Sequence, residues 1–404
     1  MKYTPEEVIA YTKEEDVKFI RIAFCDVFGN QKNISIMPDE LPRAFSDGIA
    51  FDASAIKGFG AEVKSDLLLH PEADTLVPLP WRPEHGSVVQ MFATITYPDG
   101  TPFECDTRNL LKKAIAEAKK AGYEFTFGAE EEFYLFLLDE NGKVTDIPCD
   151  NVGYMDIAPD DHGENVRREV CLTLEKMGIR PESSHHEEGP GQNEIDFRYA
   201  GALEAADNTM IFQRVVKTVA NSNGFFADFS PKPLKGAPGN GFHINISVKP
   251  FSENDTFKKM IAGILANVRD MSAFLNPRED SYQRLGKKKA PGYITWSEQN
   301  RSQLIRIPAA VGEYRRAELR SPDPSANPYL SFTLIIRAAL EGINKGLTLP
   351  APADINLYTA DAATLSKYDK LPESFDKACK AARESEFIKE NIPEKILKIY
   401  CREI

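Results

Sequence analysis

Cysteine is sparse and scattered. The six thiols (Cys25, Cys105, Cys149, Cys171, Cys379 and Cys401) include no closely spaced pair, which argues against a thiolate metal centre and fits a reducing compartment. Basic charge is also in deficit, with 49 Lys and Arg against 61 Asp and Glu for a net of -12. A chain of that sign has no general attraction for phosphate backbones or anionic lipid, so neither nucleic acid nor a membrane is an expected partner. Long apolar runs are missing: Phe133–Leu138 is the longest, far too short to span a bilayer. The opening residues, MKYTPEEV, carry no apolar signal segment, so the expectation is a soluble, cytoplasmic protein. There is no GxxxxGK[ST] sequence, which excludes a P-loop as the grip on any nucleotide.

Against these absences stands one stretch, Glu124–Leu138, EFTFGAEEEFYLFLL. Apolar side chains recur at every second position (Phe125, Phe127, Ala129, Phe133, Leu135, Leu137), the period of a strand with one face in a core. The other face then carries Glu124, Thr126, Gly128, Glu130 and Glu132. Two residues apart on a strand, Glu130 and Glu132 place their side chains about 7 Å from each other, close enough to share one cation or flank two. Hard carboxylate oxygens suit Mg2+ or Mn2+. Without a cation the pair repels, so Glu132→Ala is expected to cost no stability. A strand with a merely wet polar face has the same pattern, so the rest of the chain must decide.

At 404 residues the chain can bury a large core and is expected to form two domains. Thr4, Pro5 and Glu7 offer a helix cap, a first-turn proline and a capping-box glutamate. Strands are expected at Val17–Cys25 and Gln31–Met37, turned by Gly29 and Asn30, and at Thr75–Val77 and Ser87–Thr96. Phe51–Phe59 (FDASAIKGF) has no period and reads as a connection able to present the Asp52 carboxylate. Together these define a small strand-rich domain, residues 1–104. From Thr107 helices and strands alternate in a larger domain, residues 105–404. Apolar residues at three and four spacing predict helices at about Asn109–Ala121, Glu164–Lys176, Leu203–Asn221, Thr256–Phe274 and Ala326–Asn344. Strand candidates fall at Glu194–Tyr199, Phe225–Phe229, Gly241–Val248 and Arg315–Arg320. Thr359–Ile404 reads as a charged helical tail, packed or between subunits.

Ionisable groups gather in a few places. In HHEEGPGQNE a turn through Gly189, Pro190 and Gly191 lets Glu187 and Glu194 return to one region. His243, Asn245 and Ser247 share one face of a strand, as do Arg316, Glu318 and Arg320, and Arg284, Arg301 and Arg306 lie nearby in sequence. Taken singly, a histidine pair is commonly a surface or capping feature, a lone strand histidine a core residue, and arginines beside a glutamate a structural ion pair. Jointly, five glutamates, a histidine and an arginine-rich late segment supply what phosphoryl transfer needs. Carboxylates hold cations, cations bridge nucleotide phosphates, and arginines bind a carboxylate substrate and the charge developing in transfer. The residues point to an ATP-dependent ligase acting on a carboxylate.

Five segments carry a resemblance: Gly128–Phe133 (GAEEEF), Ser184–Ile195 (SHHEEGPGQNEI), Phe229–Ser247 (FSPKPLKGAPGNGFHINIS), Asn300–Pro308 (NRSQLIRIP) and Glu318–Leu330 (ELRSPDPSANPYL). In order and spacing they resemble the signature blocks of type I glutamine synthetases over nearly the whole chain. The resemblance implies an α+β fold, a small β-grasp-like N-terminal domain followed by a larger catalytic domain with a curved antiparallel sheet and flanking helices. It implies active sites between neighbouring subunits of a double-ring homododecamer. Position by position, it implies one metal site of Glu132, Glu187 and Glu194 and a second of Glu130, His243 and Glu318, holding two or three Mg2+ or Mn2+ ions. Arg284, Arg301 and Arg320 match arginines on glutamate or the phosphoryl group, and Arg306 matches a contact on a nucleotide phosphate. Ser247 matches a residue near the adenine, with Asn245 on the same ATP-facing edge. Gly239 falls in the glutamate-binding segment. Asp52 matches a loop aspartate that helps deprotonate ammonium across the subunit boundary, and Tyr154 matches a tyrosine lining that pocket. The implied reaction passes the ATP γ-phosphoryl group to the glutamate side chain, and ammonia then attacks the acyl phosphate.

Three positions depart from the family pattern. Asp-Gly-Ser-Ser reads Asp52, Ala53, Ser54, Ala55, which removes one serine from the ammonium pocket. Asn-Gly-Ser-Gly reads Pro238, Gly239, Asn240, Gly241, which takes an asparagine side chain from the glutamate site. The loop between Leu285 and Pro291, where the family carries a glutamate, is GKKKA and one residue shorter, with Lys289 at that place. These changes leave two alternatives beside glutamine synthesis: joining glutamate to another amine, and a weakly catalytic sensor of glutamate or nucleotide.

Overall fold

The computed structural model describes residues 3–60, 65–82, 86–287, 289–310 and 312–401; Lys288 and the last three residues of the expected tail lie outside these. The first sheet runs Gln31–Ile36, Val17–Cys25, Ser87–Thr96, Asp66–Pro71, Ile49–Asp52, with Val77–Pro78 added beside Ser87–Thr96. Its central pair, Val17–Cys25 and Ser87–Thr96, is parallel and the rest antiparallel. The capping box forms as expected, with Glu7 N–H donating to Thr4 Oγ1 and Thr4 N–H to Glu7 Oε2. Two expectations need correction. Ala73–Thr75 is a single 3-10 turn, and only Val77–Pro78 pairs as strand there. Phe51–Phe59 is not simply a connection: Phe51 and Asp52 end a strand, and Phe59 is buried in the core.

The second sheet has ten strands and one organiser. Glu124–Leu138 forms a 15-residue strand with the expected bounds. Phe242–Lys249 pairs antiparallel along its first half and Gln192–Phe197 along its middle, with Phe225–Asp228, Val144–Pro148 and Ala200–Gly201 on the remainder. Beyond Phe242–Lys249 the sheet continues through Ala317–Leu319, Ile305–Ile307 and Trp296–Glu298; beyond Gln192–Phe197 it ends at Pro181–His186. Of the alternate side chains, Phe125, Phe127, Ala129, Phe133 and Leu135 are buried in one apolar core and Glu131 is buried between them, whereas Leu137, expected on the same face, is exposed. Helices Thr107–Lys120, Ala202–Ser222, Lys258–Leu275 and Pro328–Asn344 also contribute to that core. Lys258–Leu275 and Pro328–Asn344 approach so closely at Gly263 and Gly342 that a Cβ on either would strike the other helix's backbone.

Several polar contacts join the parts, among them the Asn327 side chain donating to the Val27 carbonyl at 3.1 Å. Arg108 bridges Glu72 (2.7 Å), next to the first sheet, and Asp207 (2.8 Å) on Ala202–Ser222, and Lys112 adds a second bond to Glu72. The tail folds into short helices ending with Glu394–Tyr400. From there the Tyr400 hydroxyl donates to the Val27 carbonyl at 2.7 Å and Lys395 to the Phe59 carbonyl at 2.9 Å. No helix among the described residues is long and apolar enough to cross a membrane.

Candidate active site

Strand register builds the site. Glu130 lies opposite His243 on one neighbouring strand and Asp196 on the other, Glu132 opposite Glu194, and Glu318 beside Asn245. Glu130, His243 and Glu318 each bring one ligand atom within 4.8 Å of the others. His243 Nδ1 is 3.6 Å from Glu130 and 3.8 Å from Glu318. The other expected set, Glu132, Glu187 and Glu194, is split between two overlapping groups, Glu132 with Glu194 and His243, and His185 with Glu187 and Glu194. Glu194 therefore links the two halves. His185, whose pairing with His186 suggests a capping role, stands 3.2 Å from Glu194 and 3.7 Å from Glu187. Asp196, which sequence reasoning missed, joins Glu130 and Glu194 in a further group; its alternation with Glu194 in QNEID was the available signal.

Burial sets the electrostatics. Desolvation pushes the Glu132 carboxyl above its ordinary range, an effect that His243 opposes and Glu187 reinforces. Burial, then Asp196 and Glu132, push Glu194 well up, and burial with Glu130 takes Asp196 to about 8. Burial, helped by the Arg320 charge, holds His243 down to about 3 and so keeps its ring neutral. Desolvated carboxylates around a neutral imidazole form a donor set that a hard divalent cation matches, since the ion's charge reverses the cost of ionising them. The residues thus fit a divalent metal.

Arginines bound the other side. Glu318, fully buried, accepts from Arg306 Nη1 at 2.6 Å and from Arg320 Nη1. Arg316, expected to flank Glu318, instead reaches Asn245 Oδ1 at 2.9 Å, while Asn245 Nδ2 donates to Glu130 at 2.7 Å. Asn245 therefore orients a carboxylate. Arg284 is buried and donates to the carbonyls of Ser321 (2.7 Å) and Arg320 (3.3 Å). A side chain at Gly239 would collide with the Arg284 stem and the Pro231 carbonyl. Ser247 donates to the Arg315 carbonyl at 3.2 Å, toward the far end of its strand.

Comparison with known proteins bears on this arrangement. Residues 16–98 match the family described as glutamine synthetase, beta-Grasp domain, and residues 104–403 match glutamine synthetase, catalytic domain. The chain belongs to the glutamine synthetase family. It is 43% identical to a glutamine synthetase of Clostridium saccharobutylicum, covering 99% of this chain and 94% of that one. A Methanosarcina mazei glutamine synthetase is 42% identical, with 98% and 92% covered. Among solved structures, a GmaS/ADP complex matches with a TM-score of 0.88 at 27% identity, covering 97% of this chain and 93% of that one.

Asn240 and Lys289, expected to depart from the family pattern, both have partners. Asn240 is buried and spends its amide on the carbonyls of Asp228 (3.0 Å) and Ser230 (2.9 Å), fastening its loop. Lys289 pairs with Glu188 at 2.6 Å and lies 5.2 Å from the centre of the Tyr154 ring. Tyr154 in turn meets His185 edge-on with centroids 5.3 Å apart. Arg301 is exposed, near enough for Tyr154 and Glu187 to feel its charge. Asp52 is exposed and accepts from the Ser54 amide (2.9 Å) and hydroxyl (2.7 Å); none of its hydrogen bonds among the described residues reaches the acidic cluster.

Proposed function

We propose that the chain catalyses ATP-dependent amidation of glutamate to glutamine through a γ-glutamyl phosphate. The observation that carries this reading is the pair of donor groups on either side of the organising strand, with Arg284, Arg306 and Arg320 beside them. Glutamate, ammonium and ATP are the family's substrates, and a divalent metal its cofactor. The finer assignment is two or three Mg2+ or Mn2+ ions per site, with Glu132, Glu187 and Glu194 holding one and Glu130, His243 and Glu318 another. Bound there, the ions would neutralise phosphate charge and polarise the transferring group.

The chain's own groups do the rest. Arg284, Arg301 and Arg320 bind the glutamate carboxylates and stabilise charge on the phosphoryl group as it moves, and Arg306 answers a nucleotide phosphate. Asn245 and Ser247 line the ATP side, and Gly239, whose missing side chain makes room for the Arg284 stem, belongs to the glutamate-binding segment. Tyr154 borders the acceptor. Asp52 from an adjacent subunit takes the ammonium proton. Hydrogen bonds from the Ser54 side chain and then its amide hold the Asp52 carboxyl below its usual value, so it stays ionised and attracts the cation. We assign the two domains to residues 1–104 and 105–404, the assembly to a homododecamer and the location to the cytoplasm.

Two other readings were open in the sequence, another amine acceptor and a weakly catalytic sensor. Identity of 41–43% to proteins named glutamine synthetase, over nearly the full chain, favours ammonia. Phosphate release from ATP, measured with glutamate and either ammonium or a panel of amines, separates all three. The expected result is turnover that requires glutamate and a divalent cation, prefers ammonium and yields glutamine. Turnover with an alkylamine but not ammonium would overturn the proposal.

A further inference from the structure

Lys289 occupies a place that a free cation would be expected to seek. Its ammonium is bonded to Glu188 and faces the Tyr154 ring, and a carboxylate beside an aromatic face is a general cation-binding arrangement. Tyr154 packs against His185, which contacts Glu187 and Glu194. The lysine charge thus stands at the outer wall of the acidic cluster. The loop is built to hold it there. Gly286 N–H donates to the Ala290 carbonyl and Ala290 N–H to the Lys287 carbonyl, closing a tight turn. Lys289 itself has φ +66, a left-handed conformation that usually favours glycine.

We propose that Lys289 is a specificity-determining residue, a tethered cation that competes with ammonium for the pocket of Tyr154 and Glu188. The proposal rests on the reading that ammonium is the acceptor. A primary ammonium and NH4+ carry the same charge and the same kind of N–H donor, so either one in this pocket disfavours the other. Both side chains of the pair are about half exposed, at 45% and 40%, and an exposed ion pair is weak and readily displaced. The lysine therefore raises the ammonium concentration the enzyme needs without blocking the site.

Steady-state kinetics on the assembled enzyme test this, varying ammonium at fixed pH with glutamate and ATP saturating. Lys289→Gln leaves Glu188 unpaired and should lower KM for ammonium about threefold with kcat little changed. Glu188→Gln leaves the lysine charge uncompensated and should raise that KM by about the same factor. The double variant restores the local charge balance and should return KM near the wild-type value. Lys287→Gln, on the same loop, should do little. A loop with only a structural role predicts that both single changes move KM the same way and that the double is worse; that result, or an unchanged KM in Lys289→Gln, overturns the proposal. Failure of the wild type to make glutamine from ammonium would instead remove the functional reading on which it rests.

Discussion

Glu132→Gln and Glu132→Ala should part company in a way that tests the site directly. The Glu132 carboxylate accepts from the Gly241 amide at 2.8 Å and from the Gln192 side chain at 3.1 Å. Gln192 keeps two other acceptors, the Gly239 carbonyl and Asn240, both at 3.3 Å, but among the described residues the Gly241 amide has no other acceptor than Glu132. Stranding a buried donor costs about 1–3 kcal/mol, so Glu132→Ala should lose that much in metal-free protein. The expectation of no cost, drawn from repulsion alone, omitted this bond. Glu132→Gln keeps an acceptor for Gly241 while removing a charge that burial disfavours, and should be at least as stable as wild type in EDTA. For metal, the two variants should agree. One unit charge about 4 Å from another is worth roughly 4 kcal/mol at an effective dielectric near 20, so losing a direct ligand to a divalent ion should weaken Mn2+ binding by at least about a thousandfold. Calorimetric Mn2+ titration and urea melts in EDTA read the two effects separately. Wild-type Mn2+ stoichiometry and affinity in Glu132→Gln would refute the assignment, and equal melts for Gln and Ala would refute the hydrogen-bond argument.

Three other outcomes are expected. Asn245→Ala removes the bond that orients Glu130 and should cost about 10- to 100-fold in Mn2+ affinity with the number of sites unchanged. Burial alone would raise the Glu72 pKa, but Arg108, Lys112 and Thr94 draw it down to about 2 from 4.5. Because this folded-state value is depressed, its stabilisation of about 3 kcal/mol is present above pH 4.5 and lost as pH falls toward 2, so Glu72→Gln should cost about that at pH 7 in a urea melt and little at pH 2. Mixing Asp52→Ala with Arg301→Ala protein should recover activity in roughly a quarter of sites after subunit exchange if each site draws on two subunits; no recovery would place Asp52 outside the site.

What was legible in the sequence was whatever repeats with a period. The organising strand emerged with its bounds because apolar residues alternate along one face with a single interruption, at Glu131, and the long helices came within a few residues because their apolar stripes are wide. The edges were harder. Pro181–His186 (PESSHH) has little apolar pattern because it forms the sheet's edge beside the site, and Asp66–Pro71 is too short to stand out. Alternation also misplaced one residue by omission. Glu131 lies on the core face, where burial, only partly offset by Gln213, raises its carboxyl to about 8. Glu130, Glu132 and Glu194 were readable as a group because strand geometry carries them to one face. The contact of Lys289 with Glu188 was not, because it spans 101 positions between two turns and no local pattern encodes it.

The bond from the Tyr400 hydroxyl to the Val27 carbonyl spans 373 residues, which gives it a meaning in time as well as space. During synthesis at about 5–20 residues per second, the turn after the first strand waits roughly 20–75 s for its partner to leave the ribosome. Throughout that interval Val27, Phe28 and Phe59, which the finished tail helps to cover, are held only by the early sheet. Long-range closure of this kind is slow and leaves apolar surface open to other chains. The newborn first sheet is therefore the segment a chaperone would be expected to hold, and its release should coincide with docking of the last helix.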